Sequence, residues 1–271
     1  MAKSAIRAMA QRLPLAAVER LARLRLVTPY YHVVSDTPPS YLPRTYRVRT
    51  VAEFEQELDW LLGRYKPIGL DALLKAAKNN EALPAKALFL SFDDGYREIA
   101  ETVAPILRRK GVPATFFLTS AALDNRNWCF EDQLALLRRE LETATDAERR
   151  SAETIAVREG VNLDGLECVR TRHPGLLDAI GEALGMDWKH KLAVRRPYLT
   201  SEQVRGLLRD GFTIGSHSLD HPLYEDISLE EQIHQTRDST DAICRQFGLT
   251  YRVFAFPYGD FGVSKAFFER V

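Results

Sequence analysis

Ala87-Leu88-Phe89-Leu90-Ser91-Phe92-Asp93-Asp94-Gly95 is an apolar run that ends in two adjacent carboxylates and a glycine. A run this short and apolar reads as a buried strand. Neighbouring acids repel and raise each other's pKa unless a cation or a set of donors holds them ionised. Gly95 lets the chain turn sharply where they emerge. Alone, Asp93-Asp94-Gly95 is no more than a polar turn; at the end of a buried strand it points to a metal site whose other ligands lie elsewhere.

Thr213-Ile214-Gly215-Ser216-His217-Ser218-Leu219-Asp220-His221-Pro222 supplies candidates, with two imidazoles four residues apart after a second short apolar strand. On a helical turn that spacing puts both rings on one side, where they can chelate a single ion. A third block, Val253-Phe254-Ala255-Phe256-Pro257-Tyr258-Gly259-Asp260, again runs from an apolar strand into a turn. Three strands therefore end in polar or turn chemistry. In an α/β barrel such ends converge on one face.

The rest of the chain supports an α/β fold. Strand-like segments are Leu26 to Val34, Pro67 to Leu70, Ala87 to Phe92, Pro113 to Thr119, Phe212 to Ser216 and Arg252 to Phe256. Between them lie helical stripes: Val51 to Tyr65 after a Thr50 cap, a helix from Asp71, and Ile99 to Arg109 stopped by Gly111. Further stripes run from Thr200 or Ser201 through Arg209, from Leu229 to Phe247, and from Ser264 to Val271. This alternation predicts a parallel sheet or barrel with crossover helices. Residues 125–197 break the rhythm with helical runs (Leu134 to Leu141, Leu176 to Leu184) and no convincing strand, which predicts a helical insertion. Its aromatic edges, Trp128 with Phe130 and Trp188 with Tyr198, either pack or flank a substrate groove.

The 271 residues suffice for one large α/β domain. Lys+Arg and Asp+Glu both total 37, and nothing in that balance argues for nucleic acid as a partner. Cys129, Cys168 and Cys244 are scattered and odd in number, as expected of reduced thiols. No stretch approaches the roughly 20 apolar residues of a membrane span. Residues 1–25 carry six basic side chains against Glu19, in helix-like apolar spacing divided at Pro14. Arginines interrupt any signal-peptide core. The segment reads as a solvated basic helix or as reversible, peripheral contact with an anionic membrane surface, and the expected location is cytoplasmic, with the inner face of the membrane as the alternative. Residues 26–271 are then the barrel with its insertion.

Ser-Phe-Asp-Asp-Gly, His-Ser-Leu-Asp-His and Phe-Pro-Tyr-Gly, in that order, resemble the three motifs of the polysaccharide deacetylases, carbohydrate esterase family four. The resemblance covers most of residues 26–120 and 198–262. It implies a distorted (β/α) barrel, with Asp94, His217 and His221 holding one divalent ion, Zn2+ or alternatively Co2+ or Ni2+. Asp93 would be the general base, and Pro257-Tyr258 would supply the oxyanion donor through the Tyr258 N–H. Ser218 and Asp220 would orient the loop or the imidazoles. The implied reaction is hydrolysis of N-acetyl groups on a saccharide, a bacterial surface polysaccharide or its lipid-linked precursor. An O-acetyl esterase, another amide hydrolase and an inactive glycan-binding relic are the competing readings.

Three departures qualify the resemblance. The general acid of most relatives is a histidine beyond the third motif, and none follows His234 here. A subset similar to the poly-N-acetylglucosamine deacetylases is circularly permuted, with the acid on the first strand in a Tyr-His context. Tyr30-Tyr31-His32 fits, so His32 is the candidate acid, against a packing role. Many relatives carry an arginine where this chain has Ala255, which leaves Asp93 without that partner. Finally, little sequence follows Phe261, so the barrel is expected to be C-terminally incomplete or open on one side.

Overall fold

The computed structural model describes residues 25–44, 46–168 and 175–271. The expected basic segment falls, except for Arg25, outside them. Leu26 to Val34 forms two short strands, β1 (Leu26–Val27) and β2 (Tyr30–Tyr31), separated at Thr28-Pro29. Pro29 has no N–H to give a ladder, but its carbonyl accepts from Ser91 N–H at 3.3 Å and keeps the register. β3 (Lys66–Pro67), β4 (Ala87–Leu88), β5 (Ser91–Phe92), β6 (Thr115–Leu118) and β7 (Thr213–Ser216) follow. One sheet orders as β1-β4-β3, the other as β2-β5-β6-β7, and every ladder is parallel.

The run Ala87 to Phe92 is thus a single central strand in two pieces, and Ala87, Leu88, Leu90 and Phe92 are all buried. Burial on both faces explains its unbroken apolar character. The α/β class holds; among the described residues the strands do not close into a ring. Arg252 to Phe256 forms no extended ladder. It touches β7 through one parallel bridge, Ser216 to Phe254, fixed by Ser216 N–H to Val253 O and Ala255 N–H to Ser216 O, each 3.0 Å. Gly215 permits that approach: a Cβ there would lie 2.5 Å from the Phe117 ring and 2.9 Å from Val253 Cγ2.

Helix α1 (Val51–Leu62) starts at a Thr50–Glu53 capping box and buries Phe54 and Leu58 on the sheet. α2 (Leu70–Asn79) follows Gly69. The helix expected from Ile99 begins instead as a π turn, Ile99–Val103, before α3 (Ala104–Lys110). Pro105 near its start cannot donate to the preceding turn, a local reason for the wider winding. Between β6 and β7 come α4 (Phe130–Thr143), α5 (Asp146–Arg158), α6 (Leu176–Ala183) and α7 (Trp188–Arg195), with no described strand in residues 125–197. α8 (Ser201–Arg209), capped by Thr200 and Gln203, α9 (Leu229–Phe247) and α10 (Lys265–Arg270) complete the chain.

Two large apolar clusters result. One surrounds the sheet through Phe54, Phe92, Leu107, Phe116, Val204 and Ile214. The other belongs to the four inserted helices, with Leu137, Ala152, Ala156 and Ile180 fully buried, and also takes in Val33, Tyr41 and Tyr96. Asp132 of α4 is a polar centre within this second cluster. It is fully buried and accepts from Tyr96 OH at 2.8 Å and Tyr198 OH at 2.5 Å. Trp128 packs edge-on against both Trp188 and Tyr198 and donates to the Trp188 carbonyl at 3.1 Å. The aromatic edges therefore pack on each other; a cleft of 720 Å³ beside Trp128 and Trp188 includes none of the motif residues. Cys129 and Cys244 are free thiols, and no described helix is long and apolar enough to cross a membrane.

Candidate metal centre

Each of the three motif loops bends its chain inward through a left-handed residue. After β5, Asp93 N–H still bonds to Tyr31 O at 2.9 Å, and then Asp94 (φ 70°) and Gly95 (φ 77°) reverse the chain. A Cβ on Gly95 would press to 3.1 Å from Leu118, so glycine serves both conformation and space. After β7, His217 N–H bonds to Leu118 O at 2.9 Å. The following residues are not the helical turn that the four-residue spacing suggests. Ser218 (φ 73°) and His221 (φ 66°) are left-handed, and Ser218 Oγ accepts from His221 N–H at 2.9 Å. Gln235 Oε1, from α9, holds the Leu219 N–H at 3.0 Å.

The loops bring Asp94, His217 and His221 together, all buried. Asp94 Oδ1 lies 3.5 Å from His217 Nε2 and 3.1 Å from His221 Nε2, and the two Nε2 atoms are 3.2 Å apart. Ligands arranged tetrahedrally at ordinary Zn–N and Zn–O lengths stand about 3.3 Å from one another. Asp94 Oδ1 is buried without a hydrogen-bond partner. His217 Nδ1 is 2.9 Å from Ala255 O, which can only accept, so Nδ1 carries the proton and Nε2 presents its lone pair to the centre. An orphaned carboxylate oxygen and imidazole nitrogens at this spacing fit one divalent ion.

Electrostatics separate the two acids. Burial pushes Asp94 up, but the imidazoles of His221, His32 and His217 outweigh it and hold the carboxyl below the usual range. Burial, then the Asp94 charge, push Asp93 up to about 8. Asp93 Oδ1 is also buried without a hydrogen-bond partner. Burial and His221 push His217 down. Burial likewise opposes charge on His221, but the Asp94 and Glu131 carboxylates override it and raise its pKa.

His32 follows β2 and lies against the other oxygen of Asp94, its Nε2 3.9 Å from Oδ2. Burial lowers its pKa, with Asp94 pulling the other way. Tyr30 meets the ring edge-on at 5.7 Å and Tyr46 packs on it at 4.7 Å. Tyr46 OH also reaches Asp94 Oδ2 at 3.5 Å. In the third loop Tyr258 (φ 59°) and Gly259 (φ 130°) follow Pro257, and the half-exposed Tyr258 ring sits edge-on to His221 at 4.8 Å. Its hydroxyl bonds to Glu131 of α4. Asp220 is exposed, with its backbone N–H 3.4 Å from Gln235 Oε1. A cleft of 640 Å³ lined by Tyr30, His32, Asp93, His217, His221 and Tyr258 opens onto the centre. Tyr46, Glu131 and Gln235 belong to this site without any motif to announce them, and the Ala255 carbonyl serves it from within the third block.

The profile of the polysaccharide deacetylase family matches residues 80–267, more than half of the chain. No curated protein sequence matches it. Among solved structures, the deacetylase PplD of Streptococcus pyogenes in complex with acetate is similar with a TM-score of 0.56 and 17% identity, over 91% of this chain and 78% of that one. IcaB from Ammonifex degensii gives 0.55 and 19%, over 90% and 78%. A de-N-acetylase from Aggregatibacter actinomycetemcomitans gives 0.53 and 18%, over 86% and 79%. The matched span contains all three motif loops, leaving His32, just after β2, ahead of it, and the chain belongs to the polysaccharide deacetylase family.

Proposed function

We propose that the protein removes N-acetyl groups from a saccharide by divalent-metal-dependent hydrolysis. The observation that carries this reading is the buried group of Asp94, His217 and His221, with Asp93 beside it, in a member of a deacetylase family. Asp94 Oδ1 and the two Nε2 atoms would hold the ion, Zn2+ by donor set, with Co2+ or Ni2+ able to replace it. When bound, such an ion polarises an acyl carbonyl and acidifies water.

The chain's own groups supply the remaining chemistry. Asp93, its Oδ1 free of hydrogen bonds, takes the proton of the attacking water; the charge of a divalent ion held beside it would offset the burial and the Asp94 charge that raise its pKa and keep it ionised. The Tyr258 N–H in the Pro257-Tyr258-Gly259 turn donates to the oxygen on which charge develops. His32, beside Asp94 Oδ2 and lining the same cleft, delivers a proton to the departing amine. Tyr46 and Tyr30 keep its ring facing the cleft. Exposed Tyr30 and half-exposed Tyr258 offer aromatic faces at the cleft for a sugar ring. The substrate class is an N-acetylated bacterial surface polysaccharide or its lipid-linked precursor, as the resemblance of the three motifs implies.

The test is acetate release from N-acetylated and O-acetylated oligosaccharides by purified chain of known metal content. Release from the N-acetylated substrate, abolished by chelation and restored by Zn2+, is expected. Preference for the ester would reassign the acyl acceptor, and no release with metal bound would leave a glycan-binding protein. His32→Ala should lower turnover by about 10²- to 10⁴-fold with metal content unchanged. Full turnover would remove His32 from the acid role.

A further inference from the structure

We infer that Glu131, carried by the inserted helix α4, is a positioning residue that orients the metal ligand His221 and fastens the Tyr258 turn against it. The inference rests on the assignment of Asp94, His217 and His221 to a divalent ion. Glu131 Oε2 lies 3.6 Å from His221 Nδ1, on the side of the ring away from Asp94. That is longer than a hydrogen bond and within the range of a charge contact. Glu131 Oε1 accepts the hydroxyl of Tyr258, whose ring meets His221 edge-on at 4.8 Å. One carboxylate therefore touches the second motif loop and the third.

Its direction is set by its neighbours on α4. Asp132 is anchored by Tyr96 and Tyr198, and Cys129 N–H bonds to Tyr198 OH at 2.8 Å. With the first turn of the helix locked on both sides of residue 131, Glu131 is aimed at the centre and only 20% exposed. Tyr96 follows Asp94-Gly95 directly, so the same anchor references α4 to the first motif. The two imidazoles consequently have unlike supports. His217 gives its Nδ1 proton to a neutral carbonyl, that of Ala255; His221 turns its Nδ1 toward an anion. A carboxylate behind a ligating imidazole fixes the tautomer and raises ligand basicity, and losing such a partner typically costs about 10- to 100-fold in metal affinity. The insertion thus contributes a functional group to the centre.

The experiment uses the full chain, stripped of metal and titrated with Zn2+ against a chromophoric chelator, with the Co2+ absorption spectrum as a second readout. Glu131→Gln keeps size and removes charge. Zn2+ affinity about 10- to 100-fold below the parent, a changed Co2+ spectrum and an unchanged metal-free melting temperature are expected. Glu131→Asp should fall between the two, and Glu140→Gln on the same helix should match the parent. Parent-like affinity and spectrum in Glu131→Gln would overturn the inference while leaving the metal centre standing. Equal losses of affinity and metal-free stability would also overturn it, by making Glu131 a packing residue. A parent chain that takes up neither Zn2+ nor Co2+ would instead remove the metal assignment, and this inference with it.

Discussion

Ala255 stands where many polysaccharide deacetylases carry an arginine against the base, yet it serves the site through its backbone. Its carbonyl takes the His217 Nδ1 proton, a job no side chain has to do. Ser218 plays a comparable part for His221. Removing its hydroxyl strands a buried N–H, so Ser218→Ala should cost about 1–3 kcal/mol in denaturant unfolding of the metal-free chain. It should also weaken Zn2+ uptake; an unchanged unfolding midpoint would show that water replaces the hydroxyl. The candidate donors Asp94 and His217 are readable in the sequence because each sits where a buried apolar run stops, and His221 by its four-residue spacing from His217. Tyr46 and Glu131 are not readable: neither lies at a strand end, and each reaches the centre through tertiary packing. The spacing of His217 and His221 suggests a helix, but a Ser218 side chain that caps a backbone N–H can close a left-handed loop of the same length.

Among the elements, β7 carries the tightest constraint. Alanine at Gly215 would drive a methyl into Phe117 and Val253, the residues that keep β6 and the third motif against it. Gly215→Ala should destabilise by about 1–3 kcal/mol through overpacking and reduce Zn2+ binding as the third motif moves from the second. A melting curve with chelator competition checks both, and parent-like values would mean the sheet opens at no cost. At the other end of the fold, Thr50→Ala loses a capping box and should cost about 1 kcal/mol with Zn2+ affinity retained, since α1 supplies no motif residue. Helix positions were legible from apolar spacing and caps, and Leu229–Phe247 is found as read. Strand lengths were not. Pro29 divides the first, and the last meets β7 at one bridge, because ladder pairing depends on neighbours that a local pattern does not contain.

For the molecule as a whole, Asp132 is expected to make the stability of the insertion's cluster depend on pH, since its partners Tyr96 and Tyr198 belong to that cluster. Burial lifts its carboxyl well above the ordinary range, against the pull of the Tyr198 and Tyr96 hydroxyls. A carboxyl with a raised folded pKa binds its proton better in the native state. Its contribution is complete below the unfolded pKa of about 4 and is lost as pH rises toward the folded value. Asp132→Asn has no such titration, so its melting temperature should gain on the parent's as pH goes from 4 to 9; a constant difference would show that the two hydroxyls keep Asp132 ionised throughout. The break in strand rhythm over residues 125–197 coincides with four described helices, but the polar group inside their cluster was not legible, since Tyr96, Asp132 and Tyr198 carry no shared local pattern. The left-handed residues of the motif loops have a consequence at this scale too. Asp94, Ser218, His221 and Tyr258 each hold a positive-φ backbone that glycine adopts more readily, at a cost of up to about 1–2 kcal/mol for Ser218 and Tyr258 and less for Asp94 and His221, whose residue types are enriched there. The folding free energy forgone is concentrated in the loops proposed to carry the chemistry. Selection for heat resistance alone, with no demand for turnover, would replace these four residues early, and the survivors would be sturdy and inert.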